Sequence, residues 1–160
     1  MSRVARSARV ASRQRVETIT AAKTIQSAET GELYLIDYNT NANIDVTLPT
    51  AQDGAYFKFI WITDMAQSNA AVTIISPGGN GTLRGVVEGK EIDASPATVV
   101  EQDDGSDAEL KIGGNAADTV RGSWIECVSD GTNWYVNGTV YHASGGGAVA
   151  SCITFQDAGA

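Results

Sequence analysis

Ser123–Val140, SWIECVSDGTNWYVNGTV, holds two alternating apolar runs, Ser123–Ser129 and Asn133–Val140, around the turn Asp130-Gly131-Thr132. Glycine accepts the positive φ that tight hairpin turns need, so the segment reads as a β-hairpin. The same grammar runs upstream. Tyr56–Thr63, YFKFIWIT, puts Phe57, Phe59 and Trp61 on one face and Tyr56, Lys58, Ile60 and Ile62 on the other. An apolar second face holding one charge predicts partial burial against a neighbouring subunit or sheet. Glu32–Tyr38, Ile44–Leu48 and Ala71–Ser76 read as further strands, the second of them ended by Pro49, which cannot donate into a ladder. Pro96–Glu101 and Ala108–Ile112 bracket an acidic turn, and residues 82–96 read as a surface excursion. Strands this short, at intervals of about 8–12 residues, predict an all-β single domain, a β-sandwich or a barrel-like, jelly-roll-like body. No repeat of fixed period is present, which disfavours a solenoid or propeller.

Charge divides the chain into parts. The first fifteen residues carry Arg3, Arg6, Arg9, Arg13 and Arg15 and no acid. The rest sets the other six basic side chains against all nineteen acids, a balance of −13. The expected division is a basic N-terminal arm and connector (1–31), a β-rich body (32–142), and a glycine-rich hinge with a C-terminal tail (143–160). A strand near Glu17–Thr20 and another in the CITF of the tail fit this scheme. The arm has the Arg- and Ser-rich look of a transit peptide, but the body has no mark of an organellar enzyme. Its arginines suit an acidic protein surface first; nucleic acid is not expected as a partner of so acidic a body. No apolar run reaches the roughly 18 residues of a membrane span. Cys127 and Cys152 make no disulfide framework, and Cys127 reads as a buried small hydrophobe.

The search for chemistry returns no enzyme. His142 is the single histidine and reads as a surface or interface residue. There is no nucleophile elbow, and the Cys/His content gives no zinc spacing. Gly78–Gly85, GGNGTLRG, lacks the ending of a phosphate-binding loop. Glu101–Glu109 is acidic enough to suggest Ca²⁺, but its spacing is not that of an EF-hand loop, and a solvated acidic turn is expected. No cofactor and no metal are expected. The aromatic residues could build a sugar-stacking surface, though alternation assigns most of them to core and interface.

Two stretches, Asp45–Phe59 (DVTLPTAQDGAYFKF) and Glu126–Gly138 (ECVSDGTNWYVNG), with Val72-Thr73-Ile74 between them, carry a more specific signal. Together the segment resembles structural proteins of tailed-bacteriophage virions, namely head decoration (cement) proteins and the β-rich trimeric modules of tail fibres. The resemblance implies a homotrimer on the outer surface of a capsid, bound to the major capsid protein and stabilising the shell. The arm arginines would make the capsid contact. A tail-fibre or spike module and a carbohydrate-binding adhesin module are the alternatives. Pro49, Gly54, Phe57, Phe59, Trp61, Asp130, Gly131 and Trp134 are expected to serve folding, as core anchors and turn formers.

Overall fold

In the computed structural model, which describes residues 14–38, 42–65, 70–92, 97–113, 118–143 and 152–159, the chain crosses back and forth between two sheets. β1 (Val16–Ile19), β3 (Leu33–Ile36) and β5 (Asp53–Trp61) lie parallel in the larger sheet. β2 (Lys23–Thr24), β4 (Ile44–Thr47) and β6 (Ala71–Ile75) lie parallel in the smaller one. Val16 pairs with Leu33 and Leu33 with Lys58, so successive turns of this winding take 17 and 25 residues. Unequal turns leave no fixed period in the sequence.

The second half is mostly antiparallel. β7 (Leu83–Glu91) returns to the larger sheet and pairs with β8 (Thr98–Gln102). β9 (Glu109–Gly113) joins the smaller sheet beside β6. After the two-residue β10 (Asp118–Thr119), the hairpin β11 (Trp124–Asp130) and β12 (Trp134–Ala143) fills the gap between β5 and β7. β13 (Ile153–Gln156) closes the smaller sheet against β9. The result is an all-β sandwich of two mixed sheets around one core, with no α-helix among the described residues.

Two expectations change in detail. Residues 82–96 are not a surface excursion: Leu83–Glu91 is a nine-residue strand inside the larger sheet, paired along its length with β12. Its inward positions, Leu83, Gly85, Val87 and Gly89, alternate as a strand requires, but two of the four are glycine, so the apolar signal is thin. The strand-forming body also reaches past 32–142 on both sides, because β1, β2 and β13 all pair into its sheets.

The expected folding residues sit in the core or its turns. Phe57 and Phe59 are fully buried and Trp61 nearly so. The Tyr34 ring stacks on Phe59 at 5.4 Å, and Phe57 meets Trp134 at 5.6 Å. Trp134 Nε1 donates to the carbonyl of Pro49 at 3.0 Å, tying the late hairpin to the segment that leaves β4. In the hairpin turn the Asp130 carboxylate accepts from the backbone N–H groups of Thr132 and Asn133, each at 2.8 Å. Gly131 there has φ +91°, and Gly54, at the start of β5, has φ +74°. Cys127 and Cys152 are both buried, and no disulfide joins them.

Candidate functional site

Of the arm arginines only Arg15 falls among the described residues; Arg3, Arg6, Arg9 and Arg13 lie outside them. Arg15 is the root of the arm. Its carbonyl accepts from Leu33 N–H at 2.9 Å, and its guanidinium lies 3.3 Å from Glu32. β1 then begins at Val16, as the edge strand of the larger sheet.

Around this root is a charge cluster that no sequence motif announces. The carboxylates of Glu17, Glu29 and Glu32 converge to within 4.8 Å of one another. The Lys23 ammonium stands among them, 2.9 Å from Glu17 and 3.2 Å from Glu29. Burial opposes the Lys23 charge, but its two carboxylate partners outweigh that and hold its pKa above the usual lysine value. Burial likewise opposes the charge of Glu29; the Gln26 N–H and Lys23 outweigh it and hold its pKa low. The Tyr34 hydroxyl donates to Glu32, and its pKa is raised by burial and then by the surrounding carboxylates. These contributions come from β1, β2, the 3-10 turn Ser27–Glu29 and the entry to β3, which is why the sequence hides the cluster. Two protein cations, Lys23 and Arg15, already pair with its three carboxylates.

The other polar candidates are absorbed by the fold. Asp103 accepts from Arg84 at 3.1 Å and from Gly85 N–H at 2.8 Å, bracing the acidic turn onto β7. Asp104 accepts from Ser106, and Asp107 accepts from Asp104 N–H. In the glycine-rich loop, Gly81 N–H already donates to the carbonyls of Ser106 and Asp107.

His142 departs from expectation. It faces the core from the end of β12, 1% exposed, and neither ring nitrogen has a hydrogen-bond partner. Its cross-strand neighbours are Thr119, whose hydroxyl is also unpartnered, and Glu91. Burial pushes its pKa down to about 4. In the unfolded chain a histidine titrates near 6.5. As pH falls through that value the unfolded state takes up a proton that the folded state refuses, so stability declines from about pH 6.5 down to about pH 4. At about 1.4 kcal/mol per pH unit the loss approaches roughly 3 kcal/mol. Urea unfolding at pH 7 and pH 4.5 checks this. His142→Phe should remove that part of the acid loss, and an unchanged loss would assign it to other groups.

The outer faces of the two sheets differ sharply. The smaller sheet presents Asp45, Thr73, Lys111 and Thr154 in one cross-strand row. The larger presents Leu35, Ile60, Trp124 and Thr139 in one row and Tyr56, Val128, Tyr135 and Arg84 in another. Its central charges are paired: Lys58 meets Glu126 at 2.7 Å and lies over the Trp124 ring at 4.8 Å. The aromatics that alternation sent inward, Tyr34, Phe57, Phe59, Trp61 and Trp134, are buried between the sheets and offer no stacking platform.

These features define an all-β two-sheet protein in which the residue after Arg15 begins the edge strand of the larger sheet. Comparison with protein families, with curated proteins and with solved structures gives no match.

Proposed function

We propose that this chain is a structural, non-enzymatic protein of a tailed-bacteriophage virion: a capsid decoration protein that binds the outside of the head as a homotrimer and stabilises it. The observation that carries this reading is the root of the arm. Arg15 sits at the rim of the sandwich, where its carbonyl accepts from Leu33 N–H and its guanidinium meets Glu32, and in sequence it follows Arg3, Arg6, Arg9 and Arg13 and precedes an acidic body. That is the layout of a tether. The resemblance of Asp45–Phe59 and Glu126–Gly138 to phage virion modules supplies the shell as its target.

Mechanically, arginine forks would pair with carboxylates on the major capsid protein, each contact modest alone. Three arms on one trimer act together and raise the apparent affinity far above that of one arm. Deleting residues 1–13 keeps Arg15 on Glu32 and leaves the described body intact. The deletion is expected to lower occupancy on purified heads at least tenfold and to leave the melting temperature unchanged. Binding of the full chain should weaken as salt rises, because the contacts are ionic. Unchanged occupancy after the deletion would remove the arm from the mechanism, and recovery of the chain with tails would move it to the fibre alternative.

A further inference from the structure

Seven large hydrophobic side chains are exposed among the described residues, and strand alternation assigns five of them to one surface. Val16, Val86, Val100, Val128 and Tyr135, between 38% and 61% exposed, all point outward from the larger sheet. The half-buried Leu33, Leu35, Tyr56, Ile60 and Trp124 fill the space between them. The opposite sheet carries mostly threonine and charge in the equivalent positions. An apolar surface this concentrated on one side marks an interaction site rather than scatter.

We propose that the outer face of the larger sheet is buried against a second copy of this chain. This rests on the self-association in the proposed function and not on capsid binding. Two arguments select the occupant. The first is charge. The body carries −13, so copies repel over most of their surfaces. On this face Lys58 pairs with Glu126, Lys90 with Glu88, and Arg84 with Asp103, so most of its charge is met by a partner of opposite sign, while the Asp130 carboxylate at its rim accepts from the Tyr135 hydroxyl. It is where two acidic bodies can approach with a small like-charge penalty.

The second argument is area. Seven paired strands about 4.8 Å apart, with lengths from four to ten residues, give a footprint of roughly 700 Å². A specific interface buries about 800 Å² per partner. The face therefore matches the size a stable self-contact needs.

Sedimentation velocity on the full chain, without capsids, tests the assignment. The wild type is expected to sediment as an oligomer at micromolar concentration. Val86→Glu with Val128→Glu, two substitutions on strands separated by β12, should weaken association at least 100-fold and release a folded monomer. Thr154→Glu, on the outer face of the smaller sheet, should leave the oligomer intact. If the double glutamate protein does not fold, Val86→Thr with Val128→Thr keeps the β-branched shape and should weaken association about tenfold. A monomeric wild type, an oligomer indifferent to both double variants, or equal disruption by Thr154→Glu would each overturn the proposal. Because mass is read without capsids, a failed capsid reading leaves this result standing, and the reverse also holds.

Discussion

Trp134→Ala is expected to destabilise the protein by about 3–5 kcal/mol, as large aromatic truncations in cores do. The side chain is 1% exposed and packs on Phe57, so its removal leaves a cavity between the sheets that the strands cannot collapse to fill. The Pro49 carbonyl would also lose its donor, and a buried acceptor left unpaired adds about 1–3 kcal/mol. Trp134→Phe separates the two contributions: it keeps much of the packing and loses only the hydrogen bond. Urea unfolding monitored by near-ultraviolet circular dichroism reads both variants. A fully folded Trp134→Ala protein with a native midpoint and a lost binding activity would make this residue a ligand contact instead.

That prediction could be framed from sequence because the elements around Trp134 announce themselves. The Asp-Gly turn and the alternation on either side of it predict the hairpin, and YFKFIWIT predicts both of its faces. The inward set Phe57, Phe59 and Trp61 is the core. Of the outward set, Tyr56, Lys58 and Ile60 lie on the apolar surface of the larger sheet, where partial burial against a neighbouring subunit or sheet was expected. What alternation does not carry is which strand pairs with which. β11 and β12 lie between β5 and β7, partners remote in sequence, and such pairings leave no local trace.

The surroundings of the arm were less legible. Arginine content marks residues 1–15, but the acidic cluster at their root draws Glu17, Lys23, Glu29 and Glu32 from four short elements, each too brief to show a pattern. His142 misleads for a different reason. A polar residue beside a glycine-rich stretch reads as surface, yet its parity with Trp134, Val136 and Val140 on β12 turns it inward. Strand parity outweighed residue type.

Gly85→Ala is expected to be more damaging still, and it explains why residues 82–96 read as a loop. Glycines in a strand weaken the apolar pattern and signal a turn. At Gly85 the glycine has another purpose, since a Cβ there would collide with the Val136 carbonyl oxygen of the neighbouring strand. The backbone also holds φ +139°, a value side chains resist. Relief requires β7 to move off β12, along which it is paired from Leu83 to Glu91. It would also strain the bonds that Gly85 N–H and carbonyl make with Asp103. Ordinary overpacking costs about 1–3 kcal/mol by shifting side chains. Here the obstacle is backbone, and a loss above about 4 kcal/mol is expected. Gly79→Ala is the control: its φ is +81° with nothing within 4 Å of the new Cβ, so only about 1–2 kcal/mol of conformational strain applies. Equal unfolding midpoints for the two alanine variants would show that the close approach to β12 is not what requires glycine. A large gap between them would identify Gly85 as the position that lets β7, and with it Val86 and Val100, join the apolar face.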